Sequence, residues 1–157
     1  NDADQDFLYQ NDGRGVFRET GQISGVGFSE HGLVENGMGV DFGDYDNDGL
    51  FDIVVTNFQH QTNTIYHNEG NSFFSDVSYD SGTGSITMPH LAWGTNFFDF
   101  NNDGWLDLFI ANAMHRSIIC SKTMVTEHSL IWPRNLGSRQ SIQAVGVLLA
   151  TSIMTVI

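Results

Sequence analysis

Hydrophobic positions in the first 115 residues fall in short clusters rather than in long periodic stretches. Ile53-Val54-Val55 and Leu108-Phe109-Ile110 are β-branched or bulky runs, each following an acidic, glycine-containing segment. Short runs of this kind predict buried strands. Leu8-Tyr9 and Ile65-Tyr66 each lead into Asn-x-Gly, at Asn11-Asp12-Gly13 and Asn68-Glu69-Gly70, and a Phe follows at Phe17 and Phe74. An apolar pair, an Asn-x-Gly turn and a returning aromatic residue spell a hairpin. No convincing helix is expected before residue 116.

The pattern occurs twice. Gly39-Val-Asp-Phe42-Gly-Asp44-Tyr-Asp46-Asn47-Asp48-Gly49-Leu-Phe-Asp52-Ile-Val-Val-Thr-Asn57 recurs as Gly94-Thr-Asn-Phe97-Phe-Asp99-Phe-Asn101-Asn102-Asp103-Gly104-Trp-Leu-Asp107-Leu-Phe-Ile-Ala-Asn112, 55 residues later. The hairpin recurs at a spacing of 57, so a loop has gained two residues. A period of this size with about four short strands per unit predicts propeller blades, which bury both faces by stacking in a ring. The expected fold is all-β: a partial β-propeller with two recognisable blades of antiparallel strands. The units are residues 1–58, 59–115 and an atypical tail at 116–157. Phe7, Phe17, Phe42, Phe74, Trp93 and Phe97 are expected in the core between blades. Asn57 and Asn112, ending equivalent strands, are expected to cap turns.

The segments before the apolar runs carry the candidate chemistry. Counted from Asp44, carboxylates stand at positions 1, 3, 5 and 9 (Asp44, Asp46, Asp48, Asp52), with Gly49 at position 6. The second loop has Asp99, Asn101, Asp103 and Asp107, with Gly104 at position 6. Alternate residues of a tight loop can turn oxygens inward, and Leu50 and Trp105 can add backbone carbonyls. Ca2+ takes six to eight such hard ligands. Unscreened carboxylates this close would repel one another. An EF-hand is excluded, because its position 12 would be Val55 or Ile110 in a strand run rather than a glutamate. One Asp/Gly-rich turn could bind nothing; two copies at the same spacing favour calcium. Four carboxylates against three predict tighter binding in the first loop.

Composition narrows the classes. The chain has 157 residues and a net charge of −13, which argues against nucleic acid. A single cysteine, Cys120, gives neither a disulfide framework nor a cysteine zinc site. The polar start, Asn1 to Asp6, is not a signal peptide, and the chain reads as beginning inside a larger protein. The six histidines, His31, His60, His67, His90, His115 and His128, show no zinc spacing and read as loop or surface residues. Ser29-Glu30-His31 lacks a nucleophile elbow, so no enzyme is expected.

The motifs resemble the FG-GAP/VCBS repeats of integrin-α-like β-propellers, in the style of the cartilage-acidic-protein and ASPIC/UnbV group. The carriers are Phe42-Gly43-Asp44-Tyr-Asp-Asn-Asp-Gly, Asp52-Ile-Val-Val-Thr-Asn57, Leu8-Tyr9-Gln-Asn11-Asp-Gly13, Trp93-Gly94 and Asp107-Leu-Phe-Ile-Ala-Asn112. The resemblance covers about residues 6–115. It implies a seven-bladed propeller, calcium in blade loops, and a secreted or cell-surface setting; the periplasm is the alternative location. Phe98 departs from the Phe-Gly pattern, and Asn101 from an Asp. The expected function is a calcium-binding adhesion or ligand-binding module. Its partners are calcium and a protein or carbohydrate at the loops Gly21–Asn36 and Tyr79–Leu91. The alternatives are a propeller scaffold of a secreted enzyme and a calcium-dependent spacer without a ligand.

The tail breaks the pattern. Residues 1–115 hold 18 of the 19 acids, all 12 Phe and only two of the six bases. The run Ser141–Ile157 is too short for a comfortable membrane span. A one-base shift of the codons permits Asn-Tyr-Leu-Phe-Lys-Asn-Asp-Gly-Asn-Gly-Thr-Phe-Thr-Asp from Ser117 to Leu130. From Leu149 to Ile157 it permits Gly-Asp-Phe-Asp-Asn-Asp-Gly-Asp. Met124-Val125 forces the Gly, and Met154-Thr155 an Asp. The plain reading of the tail is a buried strand pair; the reading preferred is a third repeat translated out of frame, with which the code is compatible.

Overall fold

A computed structural model describes residues 3–100 and 102–112 and the backbone of the strand 118–122. The element order is β1 (Tyr9–Asn11), β2 (Phe17–Glu19), α1 (Gly21–Ser24), β3 (Gly37–Gly43), β4 (Asp52–Asn57), β5 (Thr64–Gly70), β6 (Phe73–Asp76), α2 (Thr83–Thr87), β7 (Ala92–Phe98), β8 (Asp107–Asn112) and β9 (Ile118–Lys122). All strand pairing is antiparallel, in a hairpin β1-β2, a four-stranded sheet β3-β4-β5-β6 and a three-stranded sheet β7-β8-β9. This is a partial propeller of two recognisable blades.

Strand β4 shows how sequence becomes layering. All six of its residues are buried, so it is covered on both faces. Alternation sorts its side chains between two cores. Val54 joins Tyr45, Ile65, Ala92, Phe97, Leu108 and Ile110 between the first and second sheets. Ile53 and Val55 join Val26 and Tyr66, with Leu8 and Phe74 packed alongside, against the N-terminal segment. A fully buried aliphatic side chain of this kind contributes about 1.5–3 kcal/mol.

The two sheets also meet through polar groups. Asp41 Oδ2 accepts the backbone N–H of Phe97 at 2.7 Å, and Thr56 Oγ1 donates to the Trp93 carbonyl at 2.7 Å. The approach is close at Gly43, where an added Cβ would lie 2.8 Å from the Phe97 side chain.

Several expectations are corrected. Two short helices, α1 and α2, occupy the long connections where none was expected. Each makes about one turn, too few residues to show apolar periodicity. Of the aromatics expected between blades, Phe97 is buried, whereas Phe7, Phe17, Phe42 and Trp93 are exposed. Phe42 lines a cavity of about 260 Å³ with Val40 of the same strand and with Phe7, Leu8 and Val26 of the segments that precede β1 and follow α1. Asn57 does cap a turn: its Nδ2 donates to the Thr62 carbonyl at 2.8 Å, and its N–H to Asn63 Oδ1 at 2.7 Å. The tail at 116–157, read as out of frame, lies outside the described residues apart from β9.

Candidate metal centre

Both acidic loops lie at the same end of their sheets. The first joins β3 to β4 and the second joins β7 to β8. Before any metal, each is folded by its own carboxylates. Asp44 accepts the N–H of Asp48 through Oδ1 and of Gly49 through Oδ2, both at 3.0 Å. Asp99 accepts the N–H of Asp103 at 3.0 Å and of Gly104 at 2.8 Å in the same arrangement. Asp48 and Asp103 then receive the N–H of Leu50 and Trp105. The ninth-position carboxylates reach back to position 2: Asp52 to the Tyr45 N–H at 3.2 Å, Asp107 to the Phe100 N–H at 3.1 Å. The left-handed positions coincide too, at Asn47 and Asn102 (φ 61° and 58°) and at Gly49 and Gly104 (φ 90° and 87°). Only Gly adopts that region without penalty, and Asn tolerates it best among the others.

The first loop gathers its oxygens. Ligand atoms of Asp44, Asp46 and Asp52 lie within 4.8 Å of one another. Asp48 stands beside Asp46, its N–H bonded to Asp46 Oδ1 at 3.2 Å. Leu50 follows at the loop's exit and is exposed. In the second loop, Asp99, Asp103 and Asp107 hold equivalent hydrogen-bonded places and Trp105 follows them; Asn101 lies outside the described residues. The carboxylate-rich oxygen set matches the preference of a hard cation such as Ca2+.

Asp52 is fully buried. Burial raises its pKa above the ordinary carboxylate value, partly offset by N–H donors from Asn68 and Tyr45. Tyr45 anchors the loop to the core, stacked on Phe97 with ring centres 6.1 Å apart. The loop is thus tied to both sheets.

One neighbour departs from expectation. His67, expected as an ordinary loop or surface histidine, places Nε2 2.9 Å from Asp46 Oδ2 and 3.9 Å from Asp48 Oδ2. Its Nδ1 lies 3.3 Å from Glu69 Oε1. Desolvation opposes protonation of His67, but its bonds to Asp46 and Glu69 outweigh it and raise the pKa. The signal was in the hairpin register: pairing Ile53 with Tyr66 brings Asp52 and His67 side by side.

Residues 1–55 and 44–110 match the FG-GAP-like repeat family. This chain belongs to that family. Cartilage acidic protein 1 of Xenopus tropicalis is 30% identical over 118 residues, which is 74% of this chain and 17% of that protein. The mouse and human proteins of the same name are each 29% identical over 119 residues, with the same coverage. The FG-GAP chain therefore spans about a sixth of the length of these relatives. Among its described residues no helix is long and apolar enough to cross a membrane.

Proposed function

We propose that this FG-GAP chain is a calcium-binding, non-catalytic propeller module. It acts outside the cytoplasm in adhesion or ligand recognition, with calcium in a structural role. Support comes chiefly from the matched geometry of the two loops, which repeat the same hydrogen bonds and left-handed positions around the same carboxylates. Asp44, Asp46, Asp48 and Asp52 with the Leu50 carbonyl would hold one ion. Asp99, Asn101, Asp103 and Asp107 with the Trp105 carbonyl would hold the other. A bound ion would neutralise the loop and fix the β3–β4 and β7–β8 connections, leaving the opposite end free to recognise a partner. The connections 21–36 and 77–91 emerge at that opposite end, with the β4–β5 loop. They favour a protein or carbohydrate ligand over a bare spacer. The kinship with cartilage acidic protein 1 supports an extracellular setting.

Thermal melting of the chain in millimolar calcium, against magnesium and chelator, tests the calcium assignment. A ligand at a hundredfold excess over its Kd adds about 2.7 kcal/mol of stability. The expected result is a calcium-specific rise in Tm, reduced in Asp44→Ala and again in Asp99→Ala. No shift in a folded sample would leave the loops as ordinary acidic turns.

A further inference from the structure

The constellation of Asp46, Asp48 and His67 offers a donor that calcium does not use. Calcium selects oxygen, whereas imidazole nitrogen suits zinc and its neighbours in the transition series. We propose that Asp46, Asp48 and His67 form a zinc site that overlaps the calcium position of the first loop. The inference shares that loop with the calcium assignment but not its metal.

Geometry comes first. Two donors on one tetrahedral zinc ion, at bond lengths of about 2.0–2.2 Å, stand roughly 3.3–3.6 Å apart. His67 Nε2 lies 2.9 Å from one Asp46 oxygen and 3.9 Å from one Asp48 oxygen, separations that bracket this value. Small side-chain rotations bring all three onto one centre. The side chains are 24%, 15% and 35% exposed for His67, Asp46 and Asp48. They are shielded enough to be held and open enough to leave a fourth position for water.

A supporting shell outside the acidic loop points the same way. Glu69 faces the far nitrogen of His67, Nδ1, at 3.3 Å, and Ser75 Oγ donates to the same Glu69 oxygen at 2.6 Å. A carboxylate on the remote imidazole nitrogen is the arrangement that fixes the tautomer of a metal-binding histidine and leaves its other nitrogen for the ion. Tyr45 meets the His67 ring edge-on, centres 6.4 Å apart, and limits its rotation. Glu69 and Ser75 stand on β5 and β6, outside the acidic loop, and so are independent of its carboxylates. Among the described residues the second loop has no counterpart: the register sets Lys122 opposite Asp107. One zinc per chain is expected, against two calcium ions.

Titration of the full chain with cobalt(II), a spectroscopic stand-in for zinc, tests this beside the calcium melt. One equivalent should produce ligand-field bands that zinc abolishes. His67→Gln should remove the bands and retain the calcium-dependent rise in Tm, with folding confirmed by melting in chelator. Glu69→Gln should weaken cobalt binding about 10-fold or more. Asp44→Asn should show the reverse pattern, with weaker calcium binding and unchanged bands. Bands that survive His67→Gln, or no bands in the parent chain while calcium still raises Tm, would overturn the zinc site and leave the calcium assignment standing. Bands that depend on His67 in a chain indifferent to calcium would support the zinc site and remove the calcium one.

Discussion

Glu35 is the most perturbed carboxyl of the first blade. Its Oε2 accepts from Thr64 Oγ1 and Asn57 Nδ2, both at 3.0 Å. Burial lifts its pKa from 4.5 to about 7, and Asp76 and Asp6 nearby push the same way. The folded state thus binds this proton more tightly than the unfolded chain. Below pH 4.5 the group is protonated in both states and costs nothing. Between pH 4.5 and 7 the unfolded chain releases the proton first, so stability falls as pH rises, and the loss is complete above 7. Glu35→Gln, which keeps an acceptor for both partners, should therefore raise Tm relative to the parent at pH 8 and leave it nearly unchanged at pH 4. A difference that does not grow with pH would show that Glu35 is already ionised in the folded chain. Nothing in the sequence marked Glu35, because its partners are 22 and 29 residues away. Asp44 to Asp52 were legible for the opposite reason: their chemistry is a local spacing, and neighbours in sequence are neighbours in space. His67 lies between these cases, visible only once the strand register is known.

At the scale of elements, strands and hairpins were legible because their signals are local. Asn11 and Asn68 take the N–H of Gly13 and Gly70 at 2.9 and 3.0 Å, the side-chain turn that Asn-x-Gly encodes. The helices α1 and α2 were not, since a single turn carries no period. The contact between sheets was hidden as well. Gly43 read only as part of the Phe-Gly pattern, but its place is decided by Phe97 of the next sheet. Gly43→Ala should cost about 1–3 kcal/mol, the usual penalty of overfilling a packed contact, measured as a lower denaturant midpoint. Phe98, at the equivalent position of the second sheet, instead meets Phe100 and Phe109 edge-on, with ring centres 6.1 and 6.3 Å apart. The loops differ as elements too. Four carboxylates in the first against three in the second predict that calcium saturates the first loop at lower concentration. Calcium titrations of Asp44→Ala and Asp99→Ala check the order; a tighter second loop would refute the charge argument.

At the scale of the molecule, the aromatics Phe42, Trp93 and Phe17 were misplaced because a strand pattern does not show which part of a sheet face its neighbours cover; each is more than half exposed. The tail tests the organisation of the whole. Strand β9 pairs Leu108 with Ser121 as β5 pairs Ile53 with Tyr66. The shifted codons spanning residues 119 to 121 permit Leu-Phe where β5 carries Ile65-Tyr66. Sequencing the coding DNA should find Asn-Tyr-Leu-Phe-Lys-Asn-Asp-Gly in the shifted frame from Ser117. Any other reading there refutes an out-of-frame third repeat.

The first sheet runs from β3 to β6 and crosses the junction of the two sequence units at residues 58 and 59. Each unit ends inside one sheet, and the hairpin that opens the next unit completes it. The unit read from the sequence is therefore not the unit that forms one sheet. Excising one copy removes half of each of two neighbouring sheets and splices the remaining halves into a single whole one. A gene built this way can gain or lose a copy by recombination without leaving a torn edge in the protein.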